Sequence, residues 1–389
     1  MEEWKEYKLG EITNMKNGKK RPQSNGVFPI YGGNGIMDYS DSYNAENAII
    51  VGRVGAYCGC VYKCDGKCWV SDNAISVFAK DIVDTQFLYY LMTTLDFHHH
   101  HIGGAQPLMT QDIIGDFSVS IPPLSVQNQI VHILKSCDNK IEVNRRINDN
   151  LEKQALALFK SWFVDFDPFR DGKFVESEMG MIPKGWRVIQ LGDILDISKA
   201  SITPSKNPDS IFSHYSIPAY DNDMKPDSQW GKEILSNKFV VENKMTLFSK
   251  LNPRIKRIWF VDDIEANSIC STEFVPYIAK DKLYFAYVHS IISSQPFYNY
   301  VMSMVNGATG SHQRFHPEET LSYLIPFNKD IALQFNNIIK PLLSMILKNR
   351  DESHRLAELR DILLPKLMSG EIHISDRDLI NDMLEKGIR

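Results

Sequence analysis

Residues 127–163 run without glycine or proline, between Pro122-Pro123 and Pro168. Within the run, Ile130, Leu134, Cys137, Ile141, Asn144, Asn148, Leu151, Ala155, Leu158 and Trp162 are separated by gaps of alternately four and three. That is a heptad seam, the signature of a helix that packs along its length on another helix. At ~1.5 Å per residue the run would be about 55 Å long. A partner helix is therefore expected.

The same chain supplies one. Across 325–372 the phase repeats at an offset of 205, on Phe335, Ile339, Leu342, Ile346, Asn349, Ser353, Leu356, Arg360, Leu363 and Leu367. Asn144-Arg145 recurs as Asn349-Arg350. Polar residues at mid-seam cost stability but define register. Arg360 stands where the first seam has Ala155, so that end is expected to splay or to form a salt bridge.

The segments ahead of the two helices also repeat. Trp4…Leu9-Gly10-Glu11-Ile12 returns as Trp186…Leu191-Gly192-Asp193-Ile194 with identical spacing. In each, a short strand leads into a helical turn with an acid in a favourable position. The first block predicts strands at 48–51, 57–63, 68–70 and 74–79, with Asp65-Gly66 as a hairpin turn. A helix at 84–95 and the loop Gly103-Gly104-Ala105-Gln106-Pro107 follow. The second predicts strands at 245–249, 257–261 and 274–278, a helix at 283–293 and a loop at 306–310. The layout is a duplication of a mixed α/β (α+β) block and a long helix. Its boundaries are 1–120, 121–183, 184–325 and 326–389, with 166–185 a structured connector.

A length of 389 residues agrees with roughly two to four domains. No apolar run approaches the ~18–20 residues needed to cross a bilayer. The opening residues lack a basic-then-apolar leader, so a cytoplasmic protein is expected. The six cysteines do not form a disulfide framework. Net charge is −5, but basic residues are bunched, and a local patch can track phosphates whatever the total.

Enzyme signatures are sparse. A phosphate-binding GxxxxGK[ST] loop and a GxGxxG turn are both missing. Asp227, Glu242 and Lys244 fit a loose metal-nuclease spacing, which requires carboxylates gathered around an ion. Cys58, Cys60, Cys64 and Cys68 invite a zinc reading. With a hairpin at Asp65-Gly66, only Cys64 and Cys68 would be close neighbours, and no metal is expected. The run His98–His101 reads as a solvated face, and Asp167-Pro168-Phe169 lacks the context of a methyltransferase motif.

Loops rich in planar and cationic donors are the stronger signal. The candidates are Lys19, Lys20, Arg21, Arg53 and Gln106 in the first block. In the second they are Lys250, Asn252, Arg254, Lys256, Arg257, His312, Gln313 and Arg314. Arg, Asn and Gln can pair with base edges, while Lys and loop amides suit phosphates.

Several strings together resemble the specificity subunit of type I restriction–modification enzymes, over essentially the whole chain. They are Ile121-Pro122-Pro123-Leu124 with Gln127–Ile130, the segment 150–169 ending SWFVDFDPF, and Ile182-Pro183-Lys184-Gly185-Trp186. Ala105-Gln106-Pro107-Leu108, Ser71-Asp72-Asn73-Ala74 and Ser271-Thr272-Glu273-Phe274 match the target-recognition domains, and 363–372 matches the distal conserved region. The resemblance implies two target-recognition domains, at 1–120 and 184–325, each reading half of a split double-stranded DNA site. It implies two antiparallel helices as a ruler in a pseudo-two-fold duplication. It also implies docking of two methyltransferase subunits and of restriction motor subunits. S-adenosylmethionine, ATP and magnesium belong to those partners, and this chain would be non-catalytic. A stand-alone nuclease or a protein-binding helical scaffold is the alternative.

Overall fold

The computed structural model describes residues 4–23, 25–103, 107–305 and 314–372. Two helices of 40 residues each, Leu124–Phe163 and Lys329–Met368, carry the two seams. The chain forms two compact units, Met1–Glu142 with Glu352–Arg389, and Val143–Asp351. Each unit holds a sheet-rich block and part of both helices.

In the first unit the helices are antiparallel: Asp138 meets Arg360 and Lys140 meets Glu352. Ile130 and Leu134 face Leu359, Leu363 and Leu367, all essentially buried. Burying each such side chain is worth about 1.5–3 kcal/mol. Arg360 does not splay the pair. It donates to Asp138 Oδ1 at 2.7 Å, and the Tyr90 hydroxyl donates to the other carboxylate oxygen. Arg360→Met should therefore destabilise this unit by about 1–2 kcal/mol in chemical denaturation, a modest figure because both partners are about one-third exposed. No measurable change would mean that the pair is energetically idle.

The first block is a six-stranded sheet in the order Thr13–Asn17, Ala74–Ala79, Ala45–Gly52, Val61–Val70, Phe28–Gly32, Gly35–Ser40. Strand Ala45–Gly52 is buried on both faces. Ile49 and Val51 pack toward the helices, and Ala48 and Ile50 pack on the opposite side with Tyr31 and Val70. The expected hairpin at Asp65-Gly66 is absent, and Val61–Val70 is one strand. Gly66 (φ +91°) instead marks a bulge opposite Asn47 (φ +49°), where register shifts. The Asn47 side chain accepts from the Gly66 amide at 2.7 Å, replacing a ladder acceptor. Cys58 lies just past the turn Gly55–Tyr57, while Cys64 and Cys68 share one buried cluster. Burial pushes both of those thiols up.

In the second unit Asn144 donates to the Asn349 carbonyl at 3.3 Å and Asn148 to that of Ile346 at 3.1 Å, again antiparallel. The Asn349 side-chain amide Nδ2 donates to Asn148 Oδ1 at 2.9 Å, so the polar mid-seam residues meet one another. The seam departs from the strict heptad. Phe159, Phe163 and Leu343 are buried, whereas the adjacent seam positions Leu158, Trp162 and Leu342 are only partly covered. A straight helix drifts ~20° per heptad from a 3.5-residue repeat, and this face also packs on the sheet-rich block, which widens the stripe. That block has a five-stranded sheet, Ser201–Ile202, Lys238–Val240, Ser268–Cys270, Ile211–Tyr215, Asp227–Trp230. It also has a four-stranded one, Leu195–Ile197, Phe274–Ala279, Met245–Ser249, Ile258–Val261. The connector forms the hairpin Phe174–Ser177 and Gly180–Pro183. SWFVDFDPF forms an aromatic knot, in which Phe163, Phe166 and Phe169 surround Trp186.

The duplication extends to single hydrogen bonds. Glu11 accepts from the Lys8 amide at 2.7 Å, and Asp193 from that of Gln190 at 3.0 Å. The Lys80 amide donates to Ile12 and the Lys280 amide to Ile194, while their ammonium groups donate to the carbonyls of Gly10 and Gly192. Long-helix side chains also secure the short helices: Gln127 accepts from the Asp84 amide, and Asn336 from that of Ala286, both at 2.8 Å.

Candidate nucleic-acid interface

Four backbone segments of the first unit converge at one end of its sheet. The Ser71 amide donates to Tyr31, Ala74 to Ser71, Arg53 to Asn73, and Lys19 to Val70, all at 2.8–3.0 Å. Gly18 belongs to the same knot, because a Cβ there would lie 1.9 Å from the Ser71 carbonyl oxygen. Only glycine permits this approach. Lys19 and Lys20 project from the knot into solvent. Arg21 is exposed but paired with Asp38. Arg53 is half-buried, and its guanidinium reaches the Asp72 carbonyl at 3.4 Å.

The second unit builds the same knot from different residues. Ser271 donates to Tyr215 and Phe274 to Ser271, both at 3.0 Å, and Lys250 to Glu273 at 2.9 Å. Lys250 thus takes the place of Arg53. Glu273, which the sequence reading did not single out as a site residue, accepts two bonds from Arg314 at 2.8 and 3.2 Å. Its signal was faint: the string Ser-Thr-Glu-Phe stands where the first block has Ser-Asp-Asn-Ala. Asn252 turns the loop with φ +48°, and Arg254 is exposed.

Two candidates are engaged by neighbouring groups. Lys256 donates to the Ser293 carbonyl at 2.6 Å and lies over the Tyr298 ring. Arg257 grips Asp221 with two bonds of 2.7 and 2.8 Å, its side chain only 11% exposed. Gln106, His312 and Gln313 lie outside the described residues.

The nuclease-like trio is dispersed. Asp227 sits in the five-stranded sheet and accepts from Ser216, Glu242 is exposed on a turn, and the Lys244 ammonium lies over the Phe285 ring. Among the described residues no group of three or more His, Cys, Asp or Glu is arranged to hold a metal ion. His99 and His100 bond to Asp96, and His98 to the Cys58 carbonyl. Exposed ammonium groups, a guanidinium edge and loop amides suit phosphate and base contacts.

Two sheet-rich units thus each carry a donor-bearing knot and a share of the paired helices. Residues 1–153 match the family model described as the type I restriction modification DNA specificity domain. The chain is similar to the type I restriction enzyme MjaIX specificity subunit of Methanocaldococcus jannaschii, 27% identical over 77% of this chain and 72% of the relative. It is 23% identical to the type I restriction enzyme HindI specificity subunit of Haemophilus influenzae, over 96% of this chain and 100% of that one. In fold it resembles the type I restriction–modification system S subunit from M. genitalium, with a TM-score of 0.59 at 14% identity, covering 94% of this chain and 96% of that one. The chain is thus similar, over most of its length, to type I restriction–modification specificity subunits. Among the described residues no helix is long and apolar enough to cross a membrane.

Proposed function

We propose that each unit reads one half of a bipartite DNA target, and that the paired helices set the spacing between the halves. The carrying observation is that the knots around Ser71–Ala74 and Ser271–Phe274 share their backbone bonds while differing in side chains. A conserved frame with exchanged readout groups suits two half-sites of different sequence. On this reading the chain is cytoplasmic and does no chemistry itself. Two methyltransferase subunits bring S-adenosylmethionine, and restriction motor subunits bring ATP and magnesium. The target base is flipped into the methyltransferase pocket, and those partners contribute to the phosphate grip, consistent with a net charge of −5 here.

Removing one heptad from the centre of each long helix tests the ruler. At ~1.5 Å per residue the scaffold shortens by about 10 Å, roughly three base pairs of B-DNA. Methylome sequencing of cells carrying the altered enzyme should show both half-sites unchanged and the spacer shortened by about that amount. An unaltered spacer in methylated motifs would refute the helical ruler.

A further inference from the structure

A cavity of about 230 Å³ lies inside the second unit, apart from the knot around Ser271–Phe274. Its walls come from both long helices and from the sheet-rich block. Ala155, Leu156, Ile258, Phe260, Leu343 and Ile346 make most of it apolar. Arg350 also lines it, from the helix Lys329–Met368, with a side chain only 16% exposed. Among the described residues its ionic partner is Glu152, 4.0 Å away and beyond hydrogen-bonding reach. A guanidinium carries five donors in a planar fork that matches a carboxylate. Leaving that fork largely desolvated and loosely paired is costly unless something else meets it.

The charge balance of the walls favours an anion. Lys256 lines the cavity as a second cation, and Glu152 is its one carboxylate, with 55% of its side chain exposed. His289 adds no charge, because burial, together with Arg350 and Lys256, drives its pKa down to about 3. It exchanges hydrogen bonds with Thr246 and Ser293. The lining is therefore net singly positive. A cavity of about 150 Å³ accommodates benzene, so the present volume suits a body of roughly two fused rings.

We propose that this cavity binds a small organic monoanion, a flat apolar body of about bicyclic size whose carboxylate pairs with Arg350. The site is independent of the DNA-reading surface and gives the second unit a ligand-responsive element. Its occupant would bridge the two helices and the sheet-rich block of that unit, and so add to the unit's stability by linkage.

Calorimetric titration of the full-length protein with 2-naphthoate, against neutral 2-naphthalenemethanol, tests the proposal. Naphthoate should bind at least tenfold more tightly than the alcohol. Arg350→Met should abolish that preference while leaving alcohol binding in place. Glu152→Gln removes the competing carboxylate at an exposed position, where folding is not at stake, and should tighten naphthoate binding severalfold. Equal binding of acid and alcohol, binding of neither, or weaker naphthoate binding to the Glu152→Gln protein would each overturn it.

Discussion

Phe335→Ala is expected to destabilise the second unit by about 3–5 kcal/mol. Phe335 is fully buried, and its ring lies 5.1 Å from that of Phe163, 5.8 Å from Trp162 and 5.9 Å from Phe159. Truncation removes the apolar transfer energy, these aromatic contacts and the packing of a site with little room to collapse. Trp162 and Trp186 belong to the same cluster, so denaturation followed by tryptophan fluorescence reports on it. Leu342→Ala, at a strict-heptad position that is only partly covered, should cost less than half as much. Equal losses at the two positions would contradict the drift of the seam from Leu342 to Leu343.

Lys19→Gln with Lys20→Gln is expected to weaken DNA binding by the assembled methyltransferase and to flatten its salt dependence. Each neutralised phosphate contact contributes about 0.9 to the slope of log K against log salt, so two should lower it by about 1.8. Adding Arg21→Gln should change little more, because Asp38 already engages that guanidinium. Fluorescence anisotropy across a salt series gives the slope directly. A slope unaltered by the double substitution would show that this loop does not face the phosphate backbone.

Much of the architecture was legible because it is periodic or repeated. The strands 74–79 and 245–249 agree with the structure residue for residue. The helix expected at 84–95 runs Thr85–Thr94, with Asp84 accepting from the amides of Gln86 and Phe87 as its cap. Asp65-Gly66 misled because its residues suit a turn and a bulge equally well, and the deciding partner, Asn47, is distant in sequence. The candidate site was less legible. Lys256 and Arg257 adjoin Arg254 in a basic string, yet contacts with Ser293 and Asp221, distant in sequence, already engage them. Glu273 acquires its role from Arg314, 41 residues away.

The sequence by itself determined the two long helices, their mutual phase, the repeated strand-to-turn entry and the family resemblance. Each depends on spacing along the chain, and spacing survives without any knowledge of neighbours. The tertiary structure alone decided which residue of each helical turn is buried, since helix drift and packing against the sheets choose between Leu158 and Phe159. It likewise separated two identical Asn-Arg pairs. Arg145 lies on the surface with Asp149, whereas Arg350 is enclosed in a cavity. The local sequence is the same, but solvent, counter-charge and dielectric are set by what folds over it.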